Sequence, residues 1–265
     1  MPPEYHLESF WTTRFESEEH FEWLGDGQAT ILPIVGRFLR QSKNSDAGLP
    51  RTLHIGAGTS TLSDQILDVY RSVYEVLVDT DAIVNVDFSQ RAVMQGRRNA
   101  PTDGTVRWET VDLLDWKDVV GKLQPSREGT KAEGEVFTIV IDKSTSDAIS
   151  CAPDIHLDVQ NLSYADPETS CLTLAGCLAT ASEQTIEPLE LLALHLAQLV
   201  RPGGVWIALS YSSNRFPFLV GGGSSLASAF WRIKEVIPVD APSGQAREGV
   251  HAPAVQHVVY VVERY

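Results

Sequence analysis

The sequence lacks the features of secreted, zinc-binding and membrane-spanning proteins. Its 265 residues contain three cysteines, Cys151, Cys171 and Cys177, and no CxxC pair. No apolar run reaches the roughly 20 residues of a spanning helix, and the first residues show no secretory pattern. The seven histidines have no metal-ligand spacing. We therefore expect reduced thiols and no metal site, no membrane association and a cytoplasmic location, with the nucleus as the alternative.

Basic residues are also scarce. The chain has 21 Lys and Arg against 35 Asp and Glu, a formal net charge of −14. This balance argues against binding to the phosphate backbone of nucleic acid. It would suit a basic protein partner, although many soluble proteins are simply acidic. The length and the hydrophobic share of 43% favour a single domain over residues 1–265 with a substantial core.

A glycine turn in the segment 51–60 gives the first indication of a ligand site. Leu53 to Ile55 predict a short buried strand, Gly56 and Gly58 turn the chain, and Thr59 or Ser60 can cap the helix that follows. A strand, a glycine turn and a helix N-terminus form a nucleotide or anion site at the carboxyl edge of a parallel sheet. The third glycine of the dinucleotide fingerprint is missing, so the turn alone is a weak signal.

Carboxylates follow the next strands of the pattern. The strand over 83–88 carries Asp87 at its tip, where a carboxylate can accept hydrogen bonds from both ribose hydroxyls. The strand over 106–112 ends at Asp112, which can accept from the exocyclic amine of adenine with Leu113 against the ring. The apolar run 136–141 predicts a central strand that ends in the polar cluster 142–147.

The remaining pattern alternates helices and strands and closes with a strand pair. We predict helices over 30–41 and 187–200, a strand over 205–209, and two final strands over 233–239 and 255–262. The predicted fold is a Rossmann-like, doubly wound α/β sheet of seven strands, mostly parallel, with a C-terminal antiparallel hairpin. Residues 1–48 comprise an aromatic N-terminal segment followed by the helix over 30–41. The aromatic segment is either a lid over a bound ligand or a helix that packs over the sheet edge. Residues 151–184 form an expanded region near the active edge.

In combination these segments resemble the class I S-adenosylmethionine-dependent methyltransferases. More narrowly, the chain resembles the methyltransferase-like-13 group, which includes the elongation factor 1-alpha lysine methyltransferases. The segments that carry the resemblance are Phe10-Trp-Thr-Thr-Arg-Phe15, Phe21-Glu-Trp-Leu-Gly-Asp26, Ile55-Gly-Ala-Gly-Thr-Ser60, Val86-Asp-Phe-Ser89, Arg107-Trp-Glu-Thr-Val-Asp112 and Asp142-Lys-Ser-Thr-Ser-Asp-Ala148. They cover most of the chain in the family's order, apart from residues 151–184.

The resemblance implies S-adenosylmethionine as cofactor and a role for each matching residue. Cofactor-binding residues would be Trp11, Phe15, Trp23, Gly56, Gly58, Asp87, Phe88, Asp112, Leu113 and Asp142. Asp142 and Lys143 would lie beside the methyl group as catalytic residues, with Asp142 nominated to take the proton of the acceptor. The family's Gly-Thr-Leu stands here as Ser144-Thr145-Ser146, a departure on the acceptor side that leaves the acceptor open.

Four functions fit this pattern. The favoured one is methyl transfer to a protein side chain, a lysine of a basic partner such as a translation elongation factor. The others are methyl transfer to a small molecule, a non-catalytic cofactor-binding interaction protein, and an NAD-dependent oxidoreductase. The missing third glycine and Asp112 argue against the oxidoreductase.

Overall fold

The computed structural model describes residues 3–45, 48–74, 82–103, 105–123, 137–157, 184–220, 225–240 and 256–265. Its helices are α1 (Glu8–Ser17), α2 (Leu32–Asn44), α3 (Leu62–Val73), α4 (Gln90–Asn99), α5 (Trp116–Leu123), α6 (Thr145–Ile149) and α7 (Pro188–Leu199). Its strands are β1 (Thr52–Ile55), β2 (Ile83–Asp87), β3 (Val106–Thr110), β4 (Phe137–Lys143), β5 (Ile155–Leu157), β6 (Gln184–Ile186), β7 (Val200–Ser210), β8 (Trp231–Asp240) and β9 (Gln256–Arg264).

Seven strands form one sheet in the order β3-β2-β1-β4-β7-β9-β8. The first five strands in this order, β3, β2, β1, β4 and β7, are parallel to one another, whereas β9 runs antiparallel to both β7 and β8. The predicted sheet and its C-terminal hairpin are therefore confirmed. In the parallel part, the tips of β3, β2, β1, β4 and β7 all lie along one edge, and the loops that follow them meet there.

The central strands are buried on both faces because helices cover each side of the sheet. Helices α2 and α3 pack on one face through an apolar cluster that includes Ile34, Leu39 and Ile66. Helices α5 and α7 cover the other face, where Val119, Leu192 and Leu196 join the core. This two-sided burial explains why the strands are almost continuously apolar in sequence.

Several predicted boundaries differ from the structure. Helix α2 begins at Leu32, where Pro33 occupies the first turn, and ends at Asn44 rather than near residue 41. Strand β4 continues through Asp142 and Lys143, so both residues lie on the strand and not in the loop after it. Strand β7 runs over Val200–Ser210 rather than 205–209, because it includes the Pro-Gly-Gly segment 202–204.

The region after α6 contains a small second sheet. Strands β5 and β6 pair antiparallel, Ile155 with Ile186, and the chain between them, 158–183, lies outside the described residues together with Cys171 and Cys177. The assignment of residues 151–184 as an expansion near the active edge thus stays a prediction. Within the described ranges, no helix is both long and apolar enough to cross a membrane.

The packing of α4 on β3 yields a prediction about stability. A Cβ at Gly96 would lie 2.4 Å from the Trp108 ring. We expect Gly96→Ala to lower the free energy of unfolding by about 1–3 kcal/mol, because the ring must move. Gly121 of α5 is the matched control: no described atom lies within 4 Å of its Cβ position. Gly121→Ala should stabilise by about 0.5–1 kcal/mol. Urea denaturation measures both, and equal shifts would contradict the packing argument.

Candidate active site

A cleft of about 580 Å³ lies at the carboxyl edge of the parallel strands. Its walls come from the N-terminal segment, the glycine turn after β1 and the residues that follow β2, β3, β4 and β7. Most of the side chains are apolar or aromatic, and the charged ones are few. The lining includes Tyr5, Trp11, Phe15, Phe21, Trp23, Gly56, Gly58, Asp87, Phe88, Asp112, Leu113, Lys143, Asp147, Ile149 and Tyr211.

The glycine turn is held in place by the carboxylate of Asp87. Gly56 and Gly58 have φ values of +56° and +55°, a conformation that L side chains rarely adopt. The Gly58 amide donates to Asp87 Oδ2 at 2.9 Å, and the Ser89 amide donates to Oδ1 at 2.8 Å. Burial raises the pKa of Asp87 to about 6, although these two hydrogen bonds oppose the increase. One buried carboxylate therefore joins the tips of β1 and β2.

Helix α1 brings a cluster of aromatic rings to the mouth of the cleft. Trp11 Nε1 donates to the carbonyl of Tyr5 at 2.7 Å, and the ring centroids of Tyr5 and Trp23 are 5.4 Å apart. Two contacts, with α4 and with its N-cap residue Ser89, fix the helix: the hydroxyls of Thr12 and Ser89 lie 2.7 Å apart, and Arg91 Nε donates to the Phe15 carbonyl at 2.8 Å. The rings thus line the cleft at the carboxyl edge of the sheet, and a role as a lid stays a prediction.

Glu22, in the loop after α1, connects the N-terminal segment to two strand tips. Its carboxylate accepts from the Ser60 hydroxyl at 2.7 Å and the Thr61 amide at 2.9 Å, beside the N-terminus of α3. It also forms an ion pair with Lys143, which donates in addition to the Gly25 carbonyl at 2.9 Å. Burial alone would raise the pKa of Glu22, but the hydrogen bonds from Lys143, Ser60 and Thr61 outweigh it and lower the pKa.

Asp142 is buried beneath the cleft and does not line it. Its Oδ1 accepts from the amides of Thr145 at 2.8 Å and Ser146 at 3.2 Å, which are the first N–H groups of α6. Its Oδ2 accepts from Trp206 Nε1 at 3.2 Å. Burial raises the pKa of Asp142 to about 7. Both oxygens thus serve the packing of α6 and β7.

Asp147 forms a second buried ion pair at the other end of the cleft. Arg215 Nη2 lies 2.7 Å from Asp147 Oδ1, and both side chains are largely buried. The Ser210 hydroxyl donates to the same carboxylate, as do the Ser144 hydroxyl and the Tyr211 amide. The charge of Asp147 is therefore compensated, and the pair ties α6 to the tip of β7.

The tip of β3 has a more open environment. Asp112 is exposed, and its Oδ1 accepts from the Leu114 amide at 2.9 Å. Leu113 is buried, and its carbonyl lies 2.8 Å from Nδ1 of His195 on α7. Burial lowers the pKa of His195, so the neutral ring that donates to Leu113 is favoured. Among the described residues, no cluster of His, Cys, Asp and Glu could hold a metal ion.

No family model matches the chain. A curated relative, methyltransferase srdJ of Neurospora crassa, is 29% identical over 217 residues, which cover 81% of this chain and 70% of the relative. Among solved structures, a SAM-dependent methyltransferase from Anabaena variabilis matches with a TM-score of 0.53 at 10% identity and covers 99% of this chain and 95% of its own. The N-methyltransferase NodS of Bradyrhizobium japonicum, in complex with S-adenosyl-L-homocysteine, matches with a TM-score of 0.46 at 10% identity over 96% and 98%.

This protein is a methyltransferase with the class I fold. The relatives named here do not include the methyltransferase-like-13 group, so that narrower resemblance stays a prediction. The structure brings nearly all predicted cofactor residues of the methyltransferase together: Trp11, Phe15, Trp23, Gly56, Gly58, Asp87, Phe88, Asp112 and Leu113 all line the cleft. Their individual roles stay predictions.

The two predicted catalytic residues do not have the environment that the sequence suggested. Asp142 does not line the cleft, and backbone amides and an indole occupy both of its oxygens. This enclosure argues against a contact of Asp142 with the cofactor and against its taking the acceptor's proton, and both assignments stay predictions. Lys143 does line the cleft, but it is engaged by Glu22 and Gly25.

Three polar residues that shape the cleft were missed in the sequence: Asp147 lines it, and Glu22 and Arg215 pair with the lining residues Lys143 and Asp147. Glu22 stands between two aromatic residues in a segment considered only for its rings. Asp147 belongs to the predicted polar cluster 142–147, and its spacing of five residues from Asp142 could have indicated a second carboxylate at the same edge. Arg215 has no local signal, because only the fold brings it to Asp147.

The buried pair Asp147–Arg215 yields a second stability prediction. We expect Arg215→Ala to lower the free energy of unfolding by about 3 kcal/mol, because a buried carboxylate loses its countercharge. Arg232, which forms an exposed pair with Glu263, is the control, and Arg232→Ala should leave the urea midpoint nearly unchanged. A similar small effect for both variants would show that the hydroxyls around Asp147 compensate its charge without Arg215.

Proposed function

We propose that this methyltransferase transfers the methyl group of S-adenosylmethionine to an uncharged group of a small molecule. When bound, the cofactor supplies an electrophilic methyl carbon on a sulfonium. The choice of acceptor rests on the charge of one part of the cleft, the end between α6 and the tip of β7. There, within the described part of the chain, the carboxylates are either compensated by a cation or buried away from the cleft.

The residues of the cleft fit this cofactor. Gly56 and Gly58 expose backbone where a ligand can lie against the chain, and a Cβ at Gly58 would extend toward Phe15, 3.4 Å from its Cζ. Asp87 keeps lone pairs for ribose hydroxyls because each of its oxygens accepts one amide hydrogen bond. Asp112 is exposed at the cleft and can accept from an adenine amine, with Leu113 beside it.

The acceptor end lies between α6 and the tip of β7. Ala148, Ile149, Ala152 and Tyr211 line it, and none of them is charged. Placing a lysine ammonium there would remove its hydration without offering a free carboxylate, which is costly. An uncharged acceptor avoids that cost, and the exposed side chains of Leu7 and Tyr211 at the cleft favour one with apolar surface.

The protein's contribution to the reaction is mainly orientation and exclusion of water. The rings of Trp11, Phe15 and Trp23 enclose the cleft from the N-terminal side. The Asp147 network holds Ser144 and the backbone of Tyr211 at the acceptor end. Because Asp142 is enclosed beneath the cleft, we expect the acceptor's proton to leave to solvent.

A protein lysine is the second candidate acceptor. The net charge of −14 and the resemblance of the motifs to elongation factor methyltransferases support it. Such a partner would be basic and would meet the protein in the cytoplasm. The two candidates differ in where the transferred methyl group is found.

The decisive experiment uses S-adenosylmethionine labelled in its methyl group, incubated with the purified protein and a lysate of its source organism. The products are separated into macromolecules and small molecules. Label in the small-molecule fraction supports the proposal, and label on a discrete protein band overturns it in favour of lysine. Gly58→Arg is the control, because its side chain would project toward Phe15 across the cleft. We expect it to transfer no label.

The raised pKa of Asp87 predicts how cofactor binding depends on pH. Because burial raises this pKa to about 6, the carboxyl takes up its proton as the pH falls through that value. The protonated form is a poorer acceptor for ribose hydroxyls. Affinity for S-adenosylhomocysteine should therefore fall by up to about tenfold per pH unit below 6 and be constant above it.

Isothermal titration calorimetry between about pH 5 and pH 8 measures this dependence. Asp87→Asn is the control, with weaker binding throughout and a flat profile over the same window. A wild-type affinity that does not change across the window would contradict the assignment of Asp87 to the ribose.

A further inference from the structure

Lys143 is the one lysine or arginine among the described residues that line the cleft. Its side chain is only 6% exposed. The carboxylates of Glu8, Asp87 and Asp112 line the same cleft, and that of Asp147 lines it paired with Arg215. The carboxylate of a ligand is repelled by Glu8, Asp87 and Asp112, whereas the ammonium of Lys143 can donate a hydrogen bond to it.

Lys143 lies where the amino-acid end of a bound S-adenosylmethionine would be. Strands β1 and β4 are neighbours, and Ile55 pairs with Asp142, so Lys143 lies beside Gly56 of the glycine turn. The tips follow along the edge in the order Asp112 after β3, Asp87 on β2, Gly56 after β1 and Lys143 on β4. A ligand with its adenine at Asp112 and its ribose at Asp87 therefore extends its amino-acid part to the glycine turn and Lys143.

The ammonium of Lys143 can bind one more acceptor. It has three N–H donors, and within the described ranges two acceptors contact it, the Glu22 carboxylate and the Gly25 carbonyl. Glu22 itself does not line the cleft and is directed to Ser60 and Thr61. The contact with Glu22 fixes the ammonium at the wall, and the remaining donor is available to the cleft.

We propose that Lys143 binds the carboxylate of the cofactor's amino-acid part and is not a catalytic residue at the methyl group. This inference rests on the proposed function, since it requires S-adenosylmethionine as the ligand. In this role Lys143 orients the cofactor along the sheet edge, and Glu22 positions the ammonium of Lys143.

The test compares two ligands that differ only in the carboxylate. S-adenosylhomocysteine and its decarboxylated analogue, which keeps the amino group, are titrated by calorimetry against the wild type, Lys143→Met and Glu22→Gln. We expect the wild type to prefer S-adenosylhomocysteine at least tenfold, which is about 1.4 kcal/mol. Lys143→Met should bind the two ligands about equally. Glu22→Gln removes the same ion pair but keeps the cation, so its preference should persist.

The outcomes separate this inference from the proposed function. A wild type that binds neither ligand overturns the cofactor, and the role of Lys143 with it. A wild type that binds both, together with a Lys143→Met variant that keeps the tenfold preference, overturns only the role of Lys143. The role of Lys143 is also overturned if Glu22→Gln loses the preference as completely as Lys143→Met does. The cause would then be the loss of the ion pair that holds the N-terminal segment on the cleft, which both variants remove. If thermal unfolding shows that Lys143→Met does not fold, Lys143→Gln, which can still donate to Gly25, replaces it.

Discussion

The cleft depends on the ion pair between Glu22 and Lys143, which joins a loop after the first helix to the central strand β4. Through the Ser60 and Thr61 hydrogen bonds the same carboxylate reaches the N-terminus of α3. A helix N-terminus attracts anions, and here a side chain of the protein itself occupies that position. This connection adds to the contacts of α1 with α4 and to the hydrogen bond between His20 Nδ1 and the Thr59 carbonyl, at 3.1 Å, in holding the N-terminal segment over the cleft.

Three buried carboxylates organise the active edge, and each first satisfies the protein's own groups. Asp87 accepts two amides of the turns after β1 and β2, Asp142 accepts the first amides of α6, and Asp147 is paired with Arg215. Burying a charge is costly unless hydrogen bonds or a countercharge compensate it. Position decides which carboxylate remains available to a ligand. Asp87 is available because it lines the cleft, whereas Asp142 is enclosed beneath it.

The departure from the family pattern at Ser144 has a structural meaning. Ser144 has φ of +67°, a left-handed conformation that glycine, the residue of the related motif, adopts without strain. The backbone therefore keeps the turn that glycine would make, at some cost in strain. In exchange the Ser144 hydroxyl donates to Asp147 and joins the network that includes Arg215 and the Tyr211 amide. The change thus modifies the acceptor end and leaves the glycine turn of β1 untouched.

The sequence by itself determined the sheet, its strand tips and most of the cleft. Apolar runs that end in a glycine turn or a carboxylate are typical of buried parallel strands with polar groups at one edge, so Gly56, Asp87 and Asp112 could be located from local pattern alone. Only the tertiary structure decided what Asp142, Lys143 and Glu22 do. Strand alternation separates adjacent side chains onto opposite faces, which sends Asp142 beneath the cleft and Lys143 into it. The partner of Lys143 lies 121 residues away, at a separation that no local pattern encodes.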